Sequence, residues 1–532
     1  MTVPSFNLAN RKRYRFRLII PAFPTFNIYS SFAKRMTALG PICIGTTASK
    51  LDRWDVEIVD ENNYGKRGPV DDDGYPDHDR LQTDRPADVV GFYGGLTSTV
   101  PRLYQVARHY RKMGAVTIGG GQHFVGENLR EGLENGLNVI GLGEGEYTIR
   151  DFLKACEEGA PIETVSGLAF LKDGDVVDTG WRAPITDFEA LPIPDFGLLR
   201  YAKMKWYPVS WARGCGMDCE FCTVKGKMRS CAPERVVAQI TSLVERYSAK
   251  SFFFVDDFFG PNRKEALRLC RMLEEYRKTS GAKLNMMVQI RLERAKDKEL
   301  LKAMRAAGVG GVAIGIESPI PQDLDAMNKK LAPEQMVEWV RTFRREGFFV
   351  HGMFIFGYPQ HKGSRFQMDI RERIKHFRHF IHKSHLDTVQ VLLPVPLPGT
   401  ELTERLENEG RIFDRDLVGW EYYDGNFPLF MPDPPLTPAQ MQWAIHKIMS
   451  RFYRLKYMLL TGLNVLWFPS IILWFHRLRG GWRYWYRVWR NHIIRFMGWI
   501  VMQRWKSAYK RGSFEEKRKE AETKARVPPS SN

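Results

Sequence analysis

Arg213-Gly214-Cys215-Gly216-Met217-Asp218-Cys219-Glu220-Phe221-Cys222 puts three of the seven cysteines within eight residues. The run follows directly on an apolar segment, Pro208 to Ala212, that reads as a strand. Spacings of four and three set the thiolates on one tight loop, and thiolates are the soft ligands an iron–sulfur cluster takes. Three ligands on a four-iron cubane leave one iron open, and the glycines let backbone wrap the cluster and donate amides to its sulfurs. A zinc site would need a fourth donor; Cys231 is near but has no paired partner. Buried structural cysteines, the remaining alternative, seldom crowd onto a glycine loop.

Downstream, a strand–helix rhythm repeats six times. Strands are predicted at Pro208 to Ala212, Ser251 to Val255, Asn285 to Val288, Gly311 to Ile316, Val350 to Phe356 and Thr388 to Leu393. Amphipathic helices fit Pro233 to Tyr247, Lys264 to Thr279, Lys298 to Ala307, Ala332 to Glu346 and Arg371 to His382. Residues 205–430 therefore read as a (β/α)6 partial TIM barrel with its site at the strand carboxyl ends. Upstream, residues 1–160 alternate apolar, glycine-bounded runs with amphipathic helices, the pattern of a doubly wound, Rossmann-like parallel sheet. Residues 161–204 read as a connector with a hairpin around Lys172-Asp173-Gly174-Asp175. The fold class is thus α/β, with a C-terminal α-helical extension over 431–512 and a disordered tail over 513–532.

Cys-x3-Cys-x2-Cys after a first barrel strand, with Phe221 before the third cysteine, resembles the signature of the radical S-adenosylmethionine (SAM) superfamily. The resemblance implies that Cys215, Cys219 and Cys222 hold a 4Fe–4S cluster whose open iron chelates SAM. Reductive cleavage then yields a 5′-deoxyadenosyl radical that abstracts hydrogen from substrate. It also implies SAM-binding roles at the strand ends. Phe221 lies beside the adenine; Asp256, Asp257 and Gln289 stand at the second and third strand ends; Arg291 pairs the carboxylate; Glu317 or Ser318 meets ribose or amino groups. Gly352 to Pro359 resembles the fifth-strand motif, although Gln360-His361-Lys362 departs from the usual Gly-Glu-Thr. Taken singly, a buried Asp pair or a lone arginine is more often a structural ion pair.

The region before the triplet resembles the cobalamin-binding domain of one class of these enzymes, through Pro21, Val59-Asp60, Gly94 to Thr97, Ile118-Gly119-Gly120 and Gly143-Glu144-Gly145-Glu146. This implies cobalamin contacts at Gly94, Thr97, Gly119, Gly120, Gly143 and Glu144, with the glycines letting backbone approach a ligand. The Asp-x-His-x-x-Gly motif that gives a histidine to cobalt is absent. His123 is a candidate neighbour, or an ordinary loop residue.

The implied activity is hydrogen abstraction from an unactivated carbon followed by methyl transfer from cobalamin. Ring closure, rearrangement or oxidation is the alternative, and a membrane-attached cobalamin or redox sensor the non-enzymatic one. Flavodoxin or ferredoxin is the expected electron donor.

The net charge of +18 is concentrated: residues 451–532 hold 18 Lys and Arg against 4 Asp and Glu. No secretory signal is read at the N-terminus, and the clustered cysteines point to a reducing, cytoplasmic setting. Tyr457 to Phe475 carries no charge and could span a bilayer, but it is short and interrupted by Asn464 and Pro469. Beyond it Trp482, Trp485, Trp489, Trp499 and Trp505 mix with Arg483, Arg487, Arg490, Arg495 and Arg504. The pattern predicts helices lying on the anionic inner face of the cytoplasmic membrane, and with them a small-molecule or lipid substrate. Packing of these helices on the barrel is the rival reading, and nucleic acid is not favoured.

Overall fold

The computed structural model describes residues 6, 8, 11–28, 30–65, 68–329, 331–466 and 482–526. Short apolar runs make the strands of a first sheet: β1 (Tyr14–Ile20), β2 (Trp54–Asp60), β3 (Val89–Tyr93), β4 (Val116–Gly120) and β5 (Val139–Gly141), all parallel. Helices cover them, so β1 is buried along nearly its whole length and holds no alternating pattern. The order β2-β1-β3-β4-β5 reverses direction between β1 and β3, the mark of a doubly wound sheet, and ligands sit outside the strand carboxyl ends at such a reversal. Gly94 to Thr97 leaves β3 at that point.

The predicted connector is partly wrong in extent. Its hairpin, β6 (Leu168–Lys172) and β7 (Asp175–Asp178), adds antiparallel to β5 as the edge of this sheet, so the unit runs to Asp178 and not to residue 160.

The second sheet has six parallel strands in sequence order: β8 (Tyr207–Val209), β9 (Ser251–Phe254), β10 (Asn285–Gln289), β11 (Val309–Glu317), β12 (Phe349–Ile355) and β13 (Thr388–Leu392). Successive crossover helices pack on one another, as they must when all connections have the same hand. Proline at the first turn opens Pro233–Tyr247 and Pro333–Arg345, Asn262, Asp297 and Asp369 cap three others, and Gly281 and Gly308 close two in the left-handed conformation. A two-residue antiparallel ladder, Ala212-Arg213 on Arg229-Ser230, closes the base of the cysteine loop.

The C-terminal helices cover this second unit. In Trp482–Arg511, Arg487 donates to the carbonyls of Arg344 and Phe348, Asn491 to Asp387 at 2.5 Å, and Arg495 to Leu386 at 3.0 Å. Trp505 is buried beside Phe427 and His446. Arg487 and Arg495 thus serve the barrel. The expected disorder after residue 512 is corrected: Phe514–Arg526 is helical, with Phe514 and Ala521 buried against the aromatic cluster of Tyr422 and Phe427. No helix of the described residues is long and apolar enough to cross a membrane; residues 467–475 of the uncharged run lie outside them.

Candidate functional site

The cysteine loop leaves the ladder through Gly214, whose φ of +81° and close approach to the Lys227 carbonyl leave no room for a side chain. Cys219 is buried, while Cys215 and Cys222 are half-buried. The segment between the last two cysteines is clamped. Glu220 accepts from Arg405 at 2.6 and 3.0 Å and from the Tyr358 hydroxyl at 2.6 Å, and its carbonyl accepts the Leu402 amide. From the other side Asn328 donates to the Asp218 carbonyl at 2.8 Å, and Lys225 to that of Cys219 at 3.0 Å.

Burial pushes the Cys219 and Cys222 thiols up; Lys329 pulls Cys219 back down, and the Val224 amide, 3.3 Å from the Cys222 sulfur, does so at Cys222 with Lys225. A metal must therefore displace protons here. Among the described residues no three His, Cys, Asp or Glu side chains converge on a point able to hold one ion. Three thiolates on one loop are the donors that an iron–sulfur cluster takes. Cys231 stands outside it, its backbone paired with Trp211.

The strand-end residues divide into two groups. Phe221 lies edge-on to Tyr358 at 6.1 Å. Asp257 is exposed and acts on Cys222. Arg291 reaches the loop, donating to the Cys215 carbonyl at 2.6 Å and lying 3.7 Å from its sulfur. Glu317, at a φ of +62°, pairs with Lys329 at 2.5 Å. These four border the loop. The others serve the scaffold. Asp256 is 3% exposed and accepts from Ser210 and the Trp211 amide, which fixes the backbone that enters the loop; burial lifts its pKa to about 7. Gln289 donates to the Asp256 carbonyl. Ser318 is fully buried and bonded to Asp323, itself paired with Arg373. In this structure the Asp256 carboxylate and the Ser318 hydroxyl are held by these buried partners.

On the first sheet, three glycines are small for internal reasons. A Cβ at Gly94 would meet Phe124 at 2.4 Å, one at Gly119 would meet Leu137 at 2.4 Å, and one at Gly121 would meet the Gly94 backbone at 2.4 Å. Gly120 has only ordinary neighbours, and Gly143 lies under Trp181. Thr97 is buried. Glu144 accepts from Arg229 at 2.8 Å and faces Arg213 at 3.3 Å, so it bridges to the cysteine loop's ladder. His123 is 1% exposed, edge-on to Trp420 at 4.8 Å, and neither ring nitrogen has a protein partner. An orphaned imidazole at a parallel sheet's carboxyl end fits a site built for a polar group. Directly before it in sequence, Gln122 accepts from the hydroxyl of Thr223, the neighbour of Cys222, at 3.1 Å. The carboxyl ends of the first sheet therefore face the cysteine loop.

The radical SAM superfamily pattern matches residues 209–372, which contain the whole loop and four of the six strands. Residues 209–372 of this chain thus carry a radical SAM domain. An uncharacterized methyltransferase of Pyrococcus horikoshii is 27% identical over 78% of this chain and 87% of its own length. The hopanoid C-2 methylase of Rhodopseudomonas palustris is 32% identical over 43% of each chain. The solved radical SAM methyltransferase TsrM from Kitasatospora setae, with cobalamin and a 4Fe–4S cluster bound, shares the fold: TM-score 0.63 and 16% identity, over 90% of this chain and 99% of that one. Both sheets of this radical SAM chain thus have a counterpart in one known architecture.

Lys329, Glu220, Arg405 and Tyr358 border the site without having been singled out by sequence. Arg405 lies 185 residues from its partner, so no local pattern marks it. Glu220 could have been found, since a carboxylate between two cysteine ligands demands a countercharge.

Proposed function

We propose that this chain cleaves SAM at a 4Fe–4S cluster held by Cys215, Cys219 and Cys222 and methylates an unactivated carbon of a small molecule. When bound, cluster and SAM supply a 5′-deoxyadenosyl radical, and cobalamin supplies the methyl group. The observation that carries the reading is the Gln122–Thr223 contact, which sets the first sheet's ligand-binding ends against the loop. Two cofactors held on those faces would share one chamber.

The chain's own residues then have separable tasks. Asp256 braces Trp211 and the loop entry. Glu220, clamped by Arg405 and Tyr358, fixes the segment between Cys219 and Cys222. Arg291 and Lys329 place positive charge beside the thiolates and beside any carboxylate that approaches them. Phe221 offers an aromatic face next to the third cysteine. His123, Thr97, Gly120 and Gly143 border the cobalamin side. The reductant is an electron carrier of the flavodoxin or ferredoxin type. We further read the protein as peripheral to the inner face of the cytoplasmic membrane, acting on a lipid or other apolar molecule; the similarity to a hopanoid methylase supports this.

Anaerobic reconstitution should give about four irons per chain with a cluster absorption band. Cys219→Ala should lose both. Protein that carries the cluster and a reductant yet forms no 5′-deoxyadenosine from SAM would overturn the proposal. Cobalamin retained by the full chain through purification tests the first unit.

A further inference from the structure

A groove of about 1050 Å3 lies between the helices Ile370–Ser384 and Pro438–Phe452, continued by Arg454 to Tyr457. Its lining holds eight Lys or Arg and three His, and no Asp or Glu. None of those eight cations forms a salt bridge among the described residues. Arg371, Lys375 and Arg378 face Lys447, Arg451 and Arg454 across it. The repulsion is felt locally: burial, then Arg451, lowers the Arg454 pKa, and burial with Arg344, Arg341 and His382 lowers that of His385. Like charges gathered without countercharge cost stability unless an anion occupies the space between them.

Beside the groove runs an apolar ridge. Leu455, just before the helix Lys456–Leu466, and Met458, Leu459 and Leu463 at helical spacing along it are 44%, 43%, 61% and 49% exposed. Trp443, 47% exposed, stands at the groove edge with the Lys447 ammonium 4.0 Å from its ring. Nucleic acid offers phosphates but no apolar phase for such a ridge. A bilayer offers both, and tryptophan settles at the boundary between them.

We infer that this groove and ridge form the membrane-docking face, with lipid phosphates between the two helices and Leu455, Met458, Leu459 and Leu463 in the acyl boundary. The inference rests on the peripheral-membrane reading above but moves its seat. The arginines of Trp482–Arg511 that the sequence pointed to include two spent on barrel carbonyls, Arg487 and Arg495. The docking charge comes from residues 371–378 and 447–456.

The test is sedimentation of the full chain with phosphatidylglycerol-containing vesicles against pure phosphatidylcholine vesicles. Binding should require the anionic lipid and fall with salt. Arg451→Glu/Arg454→Glu should weaken partitioning at least ~30-fold, and Leu459→Glu/Leu463→Glu should also weaken it. Arg111→Glu/Lys112→Glu, the same charge change on an exposed helix of the first unit, should leave it unchanged, and circular dichroism should show all three folded. Anionic-vesicle binding that survives both groove and ridge variants overturns the docking face while leaving a membrane protein. No vesicle binding, or tighter binding to a single-stranded oligonucleotide than to vesicles, overturns both.

Discussion

His123 sits where two units meet and has nothing to bond to. Burial, reinforced by Arg415, lowers its pKa to about 3, so the folded protein keeps it neutral while an unfolded chain protonates it below about 6.5. A depressed folded pKa contributes stability that is fully present above 6.5 and drains away as pH falls toward 3. Replacing His123 by Phe should therefore flatten the decline of Tm between pH 7 and pH 4 relative to the parent; equal slopes in the two proteins would refute this. Glu220 is the converse case, a buried charge fully partnered. Arg405→Leu strands it and should cost about 3 kcal/mol in urea unfolding. The same variant should take up less iron on reconstitution than the parent, because the backbone between Cys219 and Cys222 loses its clamp. A variant with parental stability and iron content would show that the ion pair does not position the loop.

At the scale of elements, Gly121 decides how closely β3 and β4 end. Its φ is +131°, and a Cβ would meet the Gly94 backbone at 2.4 Å. Gly121→Ala should destabilise by at least ~2 kcal/mol and, by forcing Gly94 away, weaken retention of cobalamin; Gly126→Ala, at an open position, is the comparison. The elements themselves were largely legible. Pro233–Tyr247 and Lys298–Ala307 fall where proline, glycine and apolar spacing put them, since those signals act within one turn. What stayed hidden was pairing over distance. The Lys172–Asp175 hairpin reads as a hairpin, but nothing local says that Phe170 pairs with Val139. Strand-end acids looked alike in sequence, and only the fold shows Asp257 exposed while Asp256 is turned onto Trp211. The charged composition after Ser513 suggested disorder, yet Phe514, buried among aromatics from residues 422 to 509, and the buried Ala521 anchor a helix there.

Among the described residues the main apolar core takes in residues from Tyr14 to Ala521, with two small clusters beside it. Across the join, Glu144 bridges Arg213 and Arg229, Gln122 meets Thr223, and the Trp420 indole donates to Glu131 at 2.9 Å. Urea unfolding followed by far-ultraviolet circular dichroism and by tryptophan fluorescence should therefore give coincident transitions; a first unit that melts separately would show the join to be weak. The clamp on Glu220 carries a consequence for cutting the molecule apart. The family's conserved pattern ends at residue 372, and a fragment ending there would contain every cysteine of the loop. It would nonetheless lack Arg405 and the Leu402 amide, leaving the Glu220 carboxylate between two thiols with the Tyr358 hydroxyl but no countercharge. The smallest piece of this polypeptide that can be excised with its loop intact ends no earlier than Asn408, so the boundary of the working unit is set by a countercharge and not by the motif.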